Sequence, residues 1–219
     1  MNRKEAMEKF HATAVYGITA EALSAGRDNL TVVEAMLQGG IRFVQYREKE
    51  KNARARYEEC LALRKLTQRY EAVFVIDDFV DLALAVGADG VHIGQEDLPP
   101  AVVRQLLGEE AVIGLSTHEP QQLEAANQWT DMIDYLGVGP VYATQTKKHA
   151  SPVTGLAYVQ YAAEHARLPF TAIGGIKQAN IAAVRAAGAK NAAVVSEITG
   201  AADIQSMVRV LREAMLQTR

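Results

Sequence analysis

Eight times along its 219 residues this chain sets a short β-branched or apolar run ahead of a longer segment of helical periodicity. Short β-branched runs predict strands at 13–19, 42–48, 73–77, 90–94, 112–116, 135–140, 170–175 and 192–197. Period-3.6 patterns predict helices at 31–38, 52–69, 79–86, 100–107, 119–128, 155–166, 177–187 and 202–217. Strict alternation, with no Pro/Gly/Ser-rich linker or charge block to divide it, predicts an α/β protein, a single (β/α)8 TIM barrel over 13–217. An open doubly wound sheet is the competing arrangement. Gly87, Gly108 and Gly188 fall at or just past predicted helix ends, where left-handed geometry is wanted. Residues 2–10 read as an extra N-terminal helix, part of a 1–12 extension able to close the barrel bottom.

Functional groups of such barrels collect at the carboxyl ends of the strands, so those ends are where chemistry is sought. The second strand runs from Phe43 and Val44 into Gln45, Tyr46, Arg47, Glu48 and Lys49. Alternation puts Gln45, Arg47 and Lys49 on one face and Tyr46 and Glu48 on the other. An amide, a planar guanidinium and a compact ammonium together suit a phosphorylated anion; a strand end running into solvent would carry the same residues. The third and fourth strands end near Asp77, Asp78 and Asp97. As neighbours these carboxylates would meet over one mouth, a set suited to Mg²⁺, although each could equally cap the helix that follows.

Ser116 and His118 close the fifth strand. Thr144, Thr146 and Lys147 lie in a long donor-rich loop after the sixth, of the kind that covers a substrate. Gly174 and Gly175 end the seventh strand, and Val195 and Ser196 close the eighth. There the backbone and the next helix's amides would serve a phosphate, or the glycine pair would serve close packing alone. His92, inside a strand among apolar neighbours, reads as a hydrogen-bonded core histidine.

A net charge of −3 supplies no electrostatic footprint for nucleic acid or an anionic membrane, so any anion must be held by a local cluster. The N-terminus lacks the apolar centre of a signal peptide and no run is long enough to span a bilayer, which predicts a cytoplasmic protein. The lone Cys60 cannot form an internal disulfide and has no activating base nearby in sequence. Oligomerisation is left open.

Taken in order, these motifs resemble those of thiamine-phosphate synthases. The family's Q-x-R-E-K stands at 45–49, D-x-x-D/E-L-A-L at 78–84 and A-D-G-x-H-x-G-Q-E-D at 88–97. G-x-S-x-H follows at 114–118, G-x-G-P-x-x-x-T-x-T-K at 137–147 and I-G-G-I at 173–176. The resemblance extends from about Tyr16 to Ile198. It implies transfer of an aminopyrimidine-methyl group from its diphosphate ester to the ring nitrogen of a thiazole phosphate, through a dissociative step that releases pyrophosphate. It also implies that Asp78 and Asp97 hold Mg²⁺. Gln45, Arg47, Lys49, Ser116 and Lys147 would bind the pyrimidine diphosphate, with Tyr46, Glu48 and Asp77 from the same motifs at the substrate site. Arg47, Lys49, Ser116 and Lys147 would carry the catalysis, and Thr144, Thr146, Gly175, Val195 and Ser196 would take the thiazole phosphate. Two positions depart from the family pattern: Asp77 replaces the usual Asn, and Phe79 stands where a polar residue is common.

Two other readings compete. A related thiazole tautomerase would use His118 as acid or base but has less need of the carboxylate pair and the full Q-x-R-E-K. A noncatalytic phosphate-binding regulator is motivated by Asp77 and Phe79 alone.

Overall fold

In the computed structural model, which describes residues 1–144, 146 and 151–217, eight parallel strands close into a barrel in sequence order, β1 pairing with β8. They are β1 (Val15–Ile18), β2 (Phe43–Tyr46), β3 (Val73–Asp77), β4 (Gly90–Ile93), β5 (Val112–Thr117), β6 (Tyr135–Val138), β7 (Phe170–Ile173) and β8 (Asn191–Val194). The helices are α1 (Arg3–Ala12), α2 (Asn29–Gln38), α3 (Ala53–Arg69), α4 (Val80–Val86), α5 (Pro100–Leu107) and α6 (Pro120–Ala126). After these come α7 (Gly155–His165), α8 (Ile181–Ala186), α9 (Ser196–Thr199) and α10 (Ile204–Leu216). Closure of the sheet rules out the open doubly wound alternative.

Two packed layers follow from the strand alternation. Outward-facing Val44, Phe74, Val91, Ile113 and Leu136 join the helices in one core, and inward-facing Tyr16, Phe43, Val75, Val112 and Tyr135 fill the barrel in another. The N-terminal segment does close the bottom. Asn2 and Glu5 form a reciprocal capping box that starts α1, and Phe10 then inserts against Phe43 and Tyr135, with ring centroids 5.3 and 4.6 Å away. Arg3 pins the helix through a 2.5 Å contact to Asp134, which also accepts from Arg104 at 2.9 Å.

Strands one, two, four, six, seven and eight are shorter than their sequence patterns. β2 stops at Tyr46, β7 at Ile173 and β8 at Val194. Gly174 and Gly175, at φ of 104° and 60°, take the chain out of the ladder after β7. The following helix begins at Ile181 rather than at 177. Asn180 accepts from the Lys177 amide and donates to the Gly175 carbonyl, a side-chain turn that competes with helix at 177–180. The eighth unit also adds the short α9, which periodicity did not distinguish from the strand end before it.

Candidate active site

The barrel mouth divides into two connected spaces. The inner one is lined by Gln45, Thr144, Thr146, Gly174, Gly175, Val195 and Ser196, and floored by Tyr16 and His92. The outer one is lined by Glu48, Lys49, Asp78 and Asp97. Arg47, Asp77, Ser116 and His118 face both, as do His92 and Thr146. Most of the residues singled out in the sequence therefore meet, and they divide into a glycine-lined inner recess and an acidic-cationic rim.

Tyr46 is a correction. The strand alternation turns it outward, where it is buried between barrel and helices and donates a 2.6 Å hydrogen bond to Glu59. Glu48 borders the outer space, but its carboxylate accepts from the Glu21 amide at 2.9 Å and from Asn29 at 3.0 Å. Both residues fasten the loop that carries Arg47 and Lys49. Lys51 belongs to the same anchorage through ion pairs with Glu21 and Glu59, a cluster that sequence spacing alone could not reveal. Lys147, with Gln145 and residues 148–150, lies outside the described residues.

The carboxylates do not serve as helix caps. Phe79 occupies the position before α4 and Pro99 the one before α5, and neither provides a side-chain cap. Asp78 sits at φ 62°, a left-handed conformation that Asp tolerates better than most residues, and pairs with Lys49. Asp77 lies 3.4 Å from Arg47 Nε and 3.7 Å from Lys49 Nζ. Its negative charge is thus balanced at least in part by the cationic cluster. Burial alone would lower the Lys49 pKa, but the Asp78 hydrogen bond and the charges of Asp77 and Asp78 outweigh it and raise the value. Asp97 accepts a 2.6 Å bond from the Gly94 amide. Burial raises its pKa, and so does the facing Asp78 charge, against the pull of that amide.

Two facing carboxylates offer the all-oxygen donor chemistry a hard cation takes, and so fit Mg²⁺. Among the described residues no third His, Cys, Asp or Glu joins them. This agrees with an ion whose remaining positions are filled by water and substrate oxygens.

The family model for thiamine monophosphate synthase matches residues 15–198. This chain belongs to the thiamine monophosphate synthase family. The thiamine-phosphate synthase of Pelotomaculum thermopropionicum is 50% identical over 97% of this chain and 96% of its own length. That of Caldicellulosiruptor saccharolyticus is 46% identical over 96% and 95%. Among solved structures, thiamine phosphate pyrophosphorylase from Pyrococcus furiosus superposes with a TM-score of 0.83 at 34% identity, covering 94% of this chain and 96% of that one. The 3-hexulose-6-phosphate synthase structure, at 19% identity and a TM-score of 0.60, shares the fold alone. Membership accounts for the order of motifs around the mouth, and the relatives' names favour neither the tautomerase nor the regulator.

In this family member the recess is shaped at Gly175. A Cβ there would stand 2.5 Å from the Ala143 carbonyl oxygen and 2.8 Å from the Tyr142 Cβ, on a backbone that side chains rarely adopt. If the recess takes a thiazole phosphate, Gly175→Val is expected to raise the Michaelis constant for that substrate at least about tenfold, by displacing the 142–143 backbone that walls the recess, while that for the diphosphate substrate changes less. Steady-state kinetics with each substrate varied in turn checks this. Equal losses for both would point to general disruption of the fold.

Proposed function

We propose that this chain is a cytoplasmic thiamine-phosphate synthase that joins an aminopyrimidine-methyl diphosphate to a thiazole phosphate, giving thiamine phosphate and pyrophosphate. The observation that carries this reading is the two-part mouth. A cation-and-carboxylate rim suited to a diphosphate opens directly onto a glycine-walled recess suited to a terminal phosphate. No helix among the described residues is long and apolar enough to cross a membrane.

In this reading the bond between the pyrimidine methylene carbon and the diphosphate oxygen breaks first, and the thiazole nitrogen then attacks the carbocation-like centre. What this demands of the protein is stabilisation of charge on a departing diphosphate, not a covalent nucleophile. Arg47 and Lys49 provide fixed positive charge on one side, and Ser116 a hydroxyl on the other. Thr144, Thr146, Gly175, Val195 and Ser196 hold the thiazole phosphate so that its ring nitrogen waits in the shared space. Asp78 and Asp97 would hold Mg²⁺, which when bound supplies Lewis-acid neutralisation of diphosphate oxygens.

His118 fits a supporting part. Its Nδ1 lies 2.7 Å from the Gly139 carbonyl, an acceptor, so Nδ1 carries a proton and the ring is oriented by the β6 end. The direct test is release of pyrophosphate, and formation of thiamine phosphate, from the two substrates with Mg²⁺. Conversion of a thiazole isomer without pyrophosphate release would support the tautomerase reading. Tight phosphate binding without turnover would support the regulator.

Asp77 gives a further expectation. Its carboxylate competes with the diphosphate for Arg47 and Lys49, so Asp77→Asn should tighten the diphosphate substrate about fivefold, or ~1 kcal/mol. The Michaelis constant for that substrate measures it. An unchanged constant would mean Asp77 has no electrostatic contact with the bound anion, and a protein switched from inactive to active would favour the regulator.

A further inference from the structure

Across the buried interior, side chains from five strands form one continuous hydrogen-bonded chain. Gln45 Nε2 donates to the Tyr16 hydroxyl at 3.1 Å, which lies 2.9 Å from that of Tyr135. Tyr135 is 3.0 Å from His92 Nδ1, and His92 Nε2 is 2.9 Å from the Ser116 hydroxyl at the junction of the two spaces. All five residues are more than nine-tenths buried. Room for the chain is made by glycine. A Cβ at Gly114 would fall 2.2 Å from the Tyr135 ring and 2.4 Å from His92 Nδ1.

We infer that Tyr16, Tyr135 and His92 are positioning residues that polarise this chain in one direction and leave the Ser116 hydroxyl proton as a donor to the substrate's diphosphate. Each phenol has one proton. Because Gln45 donates to Tyr16, Tyr16 gives its own proton to Tyr135, and Tyr135 gives its proton to Nδ1. The neutral ring then carries its proton on Nε2 and donates it to Ser116 Oγ. Ser116 has no need to donate back, so its proton is directed into the cavity, where an anionic oxygen would accept it. A chain running the other way would make Ser116 donate to His92 and present a lone pair to the anion. Burial raises the pKa of both tyrosines above the ordinary phenol value, and for Tyr135 it outweighs the lowering by the Tyr16 hydrogen bond, so both remain protonated donors.

The catalytic part of this inference rests on the synthase reading; the polarity does not. The first measurement is ¹⁵N NMR of the histidine rings in the full chain, with the His92 signals assigned by their loss in His92→Gln. The expected state is a neutral ring protonated on Nε2. A ring protonated on Nδ1 alone, or on both nitrogens, overturns the polarity. The second is a double-mutant cycle on turnover. Ser116→Ala and Tyr135→Phe should each lower kcat about tenfold, and the double variant should lose about tenfold rather than a hundredfold, because Tyr135 acts through Ser116. Multiplying losses would show that Tyr135 serves the fold alone and would overturn the positioning role. Failure of the wild-type chain to form thiamine phosphate would sink the synthase reading, and with it the role assigned to Ser116, while the ring measurement still decides the polarity.

Discussion

Arg47→Ala is expected to lower turnover by on the order of 10²-fold, the scale of losing one preorganised donor aimed at developing charge. Arg47 faces both spaces of the mouth, and its side chain is only 15% exposed. Its backbone amide donates to Thr19 Oγ1 at 2.8 Å, which fixes the residue just beyond the end of β2. The guanidinium lies 3.4 Å from Asp77; in the proposed reaction the charge on the departing diphosphate would become its stronger partner. Lysine keeps the positive charge but loses the planar fork, so Arg47→Lys should recover only part of the rate. Comparison of kcat with the Michaelis constant decides the matter. A loss confined to the Michaelis constant would mean that Arg47 binds the substrate and the departing group equally.

Removing either member of the carboxylate pair should have an effect at least as large. Asp78→Ala and Asp97→Ala are each expected to abolish most Mg²⁺-dependent turnover, because an ion anchored by two carboxylates loses half its protein ligands. Neither residue caps a helix, so the folded state should survive both substitutions. Relief of the charge crowding between Asp78 and Asp97 would partly offset lost contacts to Lys49 and Gly94. Turnover and thermal unfolding across a Mg²⁺ titration separate these effects. Wild-type rates at limiting Mg²⁺ in both variants would show that the pair has no part in holding the ion.

The architecture was legible because the barrel's two periodicities are local. The continuous apolar run at 73–76 marks a strand buried on both faces, and the amphipathic pattern in 52–69 marks which helix face is buried, whatever either is buried against. Legibility failed where side chains replaced backbone pairing. Asn180 delays α8 by supplying its own turn, and α9 is too short to show a period.

The same divide runs through the site. Gln45, Arg47 and Lys49 sharing a face, and the acids at adjacent strand ends, follow from strand parity and strand order. The outward turn of Tyr46 follows from that parity as well, and its placement at the substrate came only from its motif.

By itself, then, the sequence determined the alternation of strands and helices, the residue types delivered to the strand ends and the family to which they are similar. Tertiary structure alone decided which of those residues face each other. Pairing of Asp77 with Arg47 and Lys49, retention of Glu48 by Glu21 and Asn29, and the line of contacts from Gln45 to Ser116 all join residues far apart in the chain. The physical reason is that periodicity records burial, which each residue experiences separately. A hydrogen bond or ion pair depends on the distance between two side chains, and that distance exists only once the barrel has closed.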